Sequence, residues 1–447
     1  MAIDKAVDSS VLDAGLTSVA NAIRTKGGTS ADLAFPTGFV NAIGAIPTGG
    51  GGGVEEKDVN FIDYDGTILH SYTAQEASAL SALPANPSHT GLTAQGWNWT
   101  LSEIKAQLTA CPGGDVWVGQ MYVTDDGKTR LYITLKDLLR PVAIMFKSSV
   151  SGGVTINWGD GSAEEMSSGT SLATYYHSYS SVGDYVITLD VTNGYMDWTA
   201  GSNSQGMMQV ENKARSQNVY NSSRLSRVEI GTGITSIGSN WFSTHYNLCS
   251  ITIPKNITSF GANAFSGNLY SLKHLTIPNT IGSEITNYLM QGLVALKTLS
   301  LPGHLTKLYG TARGFYSLIS ITIPYRVTEL AYYDFSACYG LDKVVMPNSI
   351  TKIGAYAFYN CYRLVSTTIP ASVTSIDGNA FNGCYGIKEF HLLPTTPPTL
   401  ANTNAFGNTA NDKIIYVPYS ADHSVLNAYK TASQWSNYAS LIQEEPQ

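Results

Sequence analysis

Along the C-terminal half of the chain the apolar positions recur with one long period. Between Val228 and Phe406 a unit is written repeatedly: a leucine-type residue, apolar residues in alternation, then a proline, as in Leu248, Ile251, Ile253 and Pro254, or Leu341, Val344, Met346 and Pro347. The prolines stand at 254, 278, 302, 324, 347, 370, 394 and 418, at intervals of 22 to 24 residues. Alternation closed by proline predicts a short strand. A period this regular predicts a solenoid, because each coil has an apolar interior that it cannot bury alone. Written out, the unit is Leu-x-x-Ile-x-Ile-Pro-x-x-Ile-Thr-x-Ile-Gly-x-x-Ala-Phe-x-x-Cys-Tyr-x, best kept from Leu341 to Tyr362 and from Leu364 to Tyr385. Phe265, Phe315, Phe335, Phe358 and Phe381 are the expected interior spine. At Ile281–Ile285 and Tyr309–Arg313 the phase shifts, so irregular coils are expected there.

Upstream the pattern changes character several times. Ser9 and Ser10 can cap a helix carrying Leu12, Leu16, Val19 and Ile23, stopped by Lys26-Gly27-Gly28, with a second apolar segment from Phe35 to Ile46. The expected organisation is therefore a helical anchor over 1–47, a glycine-rich linker over 48–57, a small β-rich module over 58–140, a β-sandwich over 141–193, a connector or solenoid cap over 194–227, repeats over 228–410 and a C-terminal cap over 411–447. The fold class is mainly β and multidomain. In the module, two alternating runs flank Asp65-Gly66, a hairpin signal, and the stretch that follows reads as proline-broken loop and short strands. In the sandwich, alternating strands flank Gly159-Asp160-Gly161-Ser162, and Tyr185, Ile187 and Leu189 alternate in a later strand. The cap is a strand at Ile414–Val417 and a helix with Leu426, Tyr429 and Trp435.

Composition narrows the function. With 26 Lys and Arg against 33 Asp and Glu, the chain has a net charge of −7 and no dense basic run, which argues against nucleic acid as a partner. No apolar run reaches the length of a membrane span, and the opening MAIDKAVDSS lacks the basic and apolar regions of a secretory signal, so the chain is expected to stay soluble where it is made. Cys338, Cys361 and Cys384 recur once per coil and are expected as stacked buried thiols, with an inter-coil disulfide as the lesser alternative. No GxSxG, Walker loop, HExxH or CxxC pair occurs, so neither an enzyme nor a cofactor nor a metal site is expected. Trp97, Trp99 and Trp117 could form a sugar platform, but tryptophans beside glycine and proline in a small β domain more often fill its core.

Several segments resemble known families. AIRTKGG and FPTGFVNAI, within the first 47 residues, resemble an N-terminal element of bacteriophage tail and baseplate proteins, which implies attachment to other virion proteins; ALSALPANPSHTGLTAQGWNWTLSEIKA resembles a segment of phage baseplate and fibre proteins. Asp63-Tyr64-Asp65-Gly66-Thr67 resembles the first motif of haloacid-dehalogenase-type phosphatases, but the Ser/Thr, Lys and magnesium-binding acids of that chemistry do not follow, and the turn reading stands. Trp158-Gly159-Asp160-Gly161, His177-Ser178-Tyr179 and Gly183-Asp184-Tyr185 resemble the immunoglobulin-like PKD modules, in which these residues close turns and fill the core; a calcium site at Asp160 is the lesser alternative. IPxxITxIGxxAFxxC resembles the BspA-type leucine-rich repeats of bacterial surface proteins.

The candidate recognition surface is the tyrosine set of the variable turns: Tyr246, Tyr270, Tyr316, Tyr332, Tyr333, Tyr339, Tyr356, Tyr359, Tyr362 and Tyr385. Rigid amphipathic rings give contact area at low entropy cost, yet the same rings can simply seal a solenoid's turns, and both readings stand on the sequence. The resulting expectation is a non-enzymatic virion protein of a tail fibre or baseplate that presents its solenoid to a host-surface glycan or protein, with trimerisation as an option. A bacterial cell-surface adhesin and a purely architectural virion protein are the alternatives.

Overall fold

The computed structural model describes residues 57–197, 208, 223–243, 245–267, 269–285 and 288–446. The helical anchor, nearly all of the glycine linker and most of the 194–227 connector lie outside these residues.

The module after Lys57 opens as the hairpin its sequence announces. β1 (Val59–Ile62) and β2 (Ile68–Tyr72) pair antiparallel, and the turn is closed by the Asp63 N–H donating to Thr67 O at 2.9 Å, with Gly66 at φ +88°. β3 (Leu92–Trp97) and β4 (Val116–Thr124) complete a sheet ordered β2-β1-β4-β3 in which β4 runs parallel to β1. Helices occupy part of what the sequence pattern reads as broken loop: α1 (Ala74–Ala79) and α2 (Leu101–Ala110). Each begins with a reciprocal cap, Thr73 with Glu76 and Thr100 with Glu103, which satisfies N–H groups that no helix can bond internally. α2 buries Ile104 and Leu108 against Phe61, Trp97, Trp99, Val116 and Val118. Trp97 and Trp99 are thus core residues, whereas Trp117 is half-buried.

The next segment forms two small sheets. β5 (Thr129–Leu135), β10 (Gly183–Val191), β7 (Val154–Asn157) and β8 (Glu165–Met166) make one, while β6 (Val142–Ser148) lies between β9 (Ala173–His177) and β11 (Met196–Asp197) in the other. Buried side chains of both sheets, among them Ile133, Ile144, Phe146, Ile156 and Ile187, share one core. Trp158 stacks on His177 with ring centroids 4.9 Å apart, His177 Nε2 meets Asp160 Oδ2 at 2.7 Å, and the Tyr179 hydroxyl donates to Trp158 O at 2.7 Å. Trp158 and Tyr179 are buried in that core.

The solenoid begins as a continuation of that first sheet. β12 (Leu225–Glu229) pairs antiparallel with β5 on one edge and parallel with Ser250–Thr252 on the other. An exposed end strand would offer free N–H and C=O groups to any other chain, and β5 removes that liability at this end. From there successive coils stack in parallel register, Ile321 beside Val344 and Leu330 beside Ile353 beside Ile376. A second row, from Glu284–Ile285 through Lys307–Leu308, Glu329–Leu330, Lys352–Ile353 and Ser375–Ile376 to Thr399–Leu400, forms a continuous sheet.

The interior follows the sequence unit closely. Leu341, Ile350, Ile353, Ala357, Phe358 and Cys361 of one coil are fully buried. The phenylalanines stack coil on coil, Phe335 to Phe358 at 5.7 Å, Phe358 to Phe381 at 5.2 Å and Phe381 to Phe406 at 5.8 Å. The spine is interrupted where the phase shifts, and there an extra parallel pair forms between Met290–Gln291 and Ala312–Arg313. At the far end Ile414–Val417 forms the expected strand, and Ile442–Glu444 adds another beside it. α3 (Ser424–Thr431) carries Tyr429, whose hydroxyl donates to Pro394 O at 2.9 Å. Trp435 lies beyond that helix, in the turn Trp435–Tyr438, with its indole N–H on Pro398 O at 2.7 Å.

Candidate recognition surface

The turn that precedes each strand ends in Tyr-x-Leu or a close variant, and parallel stacking brings equivalent residues of successive coils together. Tyr316, Tyr339, Tyr362 and Tyr385 therefore form one row, with ring centroids 4.6, 4.6 and 5.5 Å apart. Tyr246 and Tyr270 continue it at 5.5 Å on the earlier coils, and Val294 takes the equivalent position where the row breaks. The other candidates belong to a second cluster. Tyr332 and Tyr333 pack against Tyr356, Tyr356 against Tyr359, and the Arg313 guanidinium lies 4.8 Å over the Tyr333 ring.

Ring geometry decides what the first row can offer. Tyr339 and Tyr362 are parallel to within 1°, so each ring's faces are taken up by its neighbours and only edges and hydroxyls remain for a ligand. Tyr385 is different: it is tilted 33° from Tyr362 and 61% exposed, leaving a free face at the end of the row. Burial, followed by the neighbouring phenols Tyr316 and Tyr362, raises the Tyr339 pKa, so its hydroxyl stays protonated.

The strand face of the solenoid is partly taken by the chain itself. The module of β1–β4 lies on the coils of Pro254, Pro278, Pro302 and Pro324, and the approach is close enough to require glycine: a Cβ on Gly119 would stand 2.1 Å from Thr276 Oγ1. Asn98 Nδ2 donates to Ile277 O at 2.9 Å and Ser300 O at 3.3 Å, and Asn98 Oδ1 accepts from the Gly119 N–H at 2.8 Å. Asp115 accepts from the Ser320 hydroxyl at 3.0 Å. Asn98 is fully buried, so these bonds replace water that it has lost.

Residues 213–312 and 311–433 match the family of the BspA type leucine rich repeat region, in six copies. The C-terminal part of this chain carries BspA-type leucine-rich repeats. Among solved structures, the chain resembles a leucine-rich repeat protein from Bacteroides ovatus at 19% identity, over 46% of this chain and 65% of that one, with a TM-score of 0.32. It resembles a leucine rich cell surface protein from Faecalibacterium prausnitzii at 22% identity, over 48% and 64%, with a TM-score of 0.30. The Pneumococcal vaccine antigen PcpA matches at 15% identity, over 50% and 68%, with a TM-score of 0.29. The match spans just under two thirds of the first two of these proteins. No curated protein matches the chain.

Two features of the BspA-type coils bear on chemistry. Cys338, Cys361 and Cys384 are free and buried, each thiol on a carbonyl of the preceding coil, Ala312, Phe335 and Phe358, at 3.1, 3.2 and 3.0 Å. Burial pushes the Cys338 thiol up to about 12, so this group is an apolar spacer rather than a nucleophile. Asp334 replaces the alanine of the unit, is fully buried, and accepts from the Ala331 N–H at 2.7 Å. Among the described residues no group of three or more His, Cys, Asp and Glu side chains could hold a metal ion. The stacked tyrosines are legible as a period in the sequence. The amide contacts of Asn98 and its neighbours are not, because no local pattern says which distant carbonyl a surface asparagine will meet.

Proposed function

We propose that the chain is a non-enzymatic adhesin of the bacterial cell-surface kind, whose BspA-type solenoid engages a surface glycan or surface protein along the row of Tyr316, Tyr339, Tyr362 and Tyr385. The observation that carries this reading is the row itself: equivalent phenols one coil apart, in register, ending in the open face of Tyr385. A lattice of equal groups suits a repetitive partner, because each contact is weak and many engaged together are not. The BspA-type match supports a surface role, since this repeat resembles those of bacterial surface proteins. Incubating labelled full-length protein with whole bacterial cells tests it: saturable binding, competed by unlabelled protein, is expected, and its absence from every strain tried counts against adhesion.

A second reading keeps the same surface and changes what displays it. The likeness of AIRTKGG and FPTGFVNAI to phage tail elements favours a virion-attached protein that meets a host cell through the solenoid. Antibody detection separates the two: signal in envelope fractions of phage-free cells supports the adhesin, and signal confined to purified particles supports the virion protein.

A further inference from the structure

Three side-chain carboxamides of the module, those of Gln95, Asn98 and Gln107, rest on the prolines that close the solenoid strands. Gln107 is held at both ends. Its Nε2 donates to Ile323 O at 3.0 Å and its Oε1 accepts from the Tyr325 N–H at 2.7 Å, so the two backbone groups flanking Pro324 clamp one primary amide. Proline itself has no N–H, which leaves the carbonyl before it and the N–H after it as a matched pair. Elsewhere the module uses half of this device: Gln95 Oε1 takes the Lys255 N–H after Pro254 at 2.6 Å, and Asn98 takes Ile277 O before Pro278.

The next coil repeats the clamp without an occupant. Met346 and Asn348 flank Pro347, each 23 residues beyond Ile323 and Tyr325 (323 to 346, 325 to 348). Among the described residues, neither Met346 O nor the Asn348 N–H has a hydrogen-bond partner. The module ends just short of this coil, since α2 stops at Ala110, and beyond it opens a cavity of about 450 Å³ lined by Pro112, Gly113, Lys343, Val345, Met346 and Asn348 among others. One coil further on the carbonyl is already taken: Ile369 O accepts the Leu393 N–H at 3.0 Å. A backbone donor and acceptor left side by side in a groove form a site that water or a ligand must fill.

We propose that this cavity binds the side-chain carboxamide of a glutamine- or asparagine-bearing segment of a partner protein, clamped by Met346 O and the Asn348 N–H as Gln107 is clamped one coil earlier. The pair selects for a primary amide. A carboxylate has no hydrogen to give to Met346 O. A trans secondary amide, such as the acetamido group of an amino sugar, places its N–H and C=O on opposite edges and can close only one of the two bonds. Val345 and Pro112 give apolar walls for the methylene stem, and the exposed Ser366 and Thr368 hydroxyls on the same open face can meet the peptide backbone. The site is separate from the tyrosine row and stands or falls without it.

The test is a titration of full-length, isotopically labelled protein with the blocked peptide Ala-Gly-Gln-Gly-Ala, followed at the backbone amide resonances. The Asn348 amide resonance is expected to shift saturably at millimolar peptide, and the Glu analogue to bind about ten-fold more weakly, as the loss of one well-made hydrogen bond implies. Asn348→Pro, which removes the N–H, should likewise weaken binding about ten-fold, followed at the remaining amide resonances that line the cavity, such as those of Lys343 and Val345. Thr368→Trp, an exposed change that fills the cavity without touching the core, should abolish binding and guards against misfolding of the first variant. Equal binding of the Gln and Glu peptides, equal binding of an N-acetylglucosamine oligomer, unchanged binding by Thr368→Trp, or no shift at Asn348 would each overturn the proposal.

Discussion

Asp334 offers a sharp test of the packing described for the coils. It occupies the site that Ala357 and Ala380 hold in the next two coils, is fully buried, and accepts from the Ala331 N–H at 2.7 Å and the Thr311 N–H at 3.4 Å. Burial is the dominant influence and pushes its carboxyl from 3.8 up to about 7, against the pull of those N–H donors. A carboxyl whose folded pKa lies above its unfolded value takes up a proton on folding. Its contribution to stability is therefore fully present below about pH 4 and is lost as pH rises through about 7. A gap of about three units at 1.36 kcal/mol each makes the loss on the order of 4 kcal/mol. Asp334→Asn keeps the shape and the acceptor but does not titrate. Urea melts of both proteins from about pH 4 to about pH 8, followed by circular dichroism, isolate the effect as a difference that cancels every other titrating group. The variant should gain on the parent steadily as pH rises. A difference that is flat with pH, or one in which the parent gains, would refute the burial argument.

The remaining predictions concern the spine, the module contact and the thiols. Phe358→Ala removes a fully buried ring stacked on both sides, and should cost about 3–5 kcal/mol in the same urea melts. Because each coil is stabilised by its neighbours, hydrogen exchange should quicken in the coils of Phe335 and Phe381 as well. Asn98→Ala strands Ile277 O in the interface, whereas the Gly119 N–H keeps Ser300 Oγ and the Ser300 hydroxyl keeps Trp117 O; it should cost about 1–3 kcal/mol and speed exchange across β4 while leaving the coils beyond Pro347 unchanged. With an aromatic disulfide reagent, Cys249 should react promptly in the folded protein, and Cys111, Cys338, Cys361 and Cys384 only after denaturation.

Much of the solenoid is legible in the amino-acid sequence because its signals are local and repeated. Each coil states its strand, its proline stop and its phenylalanine, and the stacking of one on the next follows from the period, down to the irregularity at Ile281–Ile285 and Tyr309–Arg313. The hairpin at Asp65-Gly66 and the strand Ile414–Val417 are legible for the same reason. The helices of the module escape the apolar pattern although their capping boxes, Thr73 to Glu76 and Thr100 to Glu103, are written in the sequence; prolines at 84 and 87 and a short apolar stripe mask them. What no local pattern can supply is the long-range pairing. That β5 covers the first coil through β12, and that Asn98 and Gln107 sit on carbonyls some 179 and 216 residues away, depends on surfaces that form only once each part has folded. The tyrosines are readable as a period but not as a stack, and the stack is what leaves hydroxyls, edges and the open face of Tyr385 at the surface.

The central claim is that this row makes the contact with a cell surface. Replacing Tyr316, Tyr339, Tyr362 and Tyr385 together by serine removes the rings while leaving the Phe335, Phe358 and Phe381 spine in place. Binding of the full-length variant to cells that capture the parent, measured by flow cytometry after circular dichroism has shown an unchanged fold, should fall at least about ten-fold, since losing even one hot-spot contact costs over 1 kcal/mol. Undiminished binding by a folded variant would contradict the account.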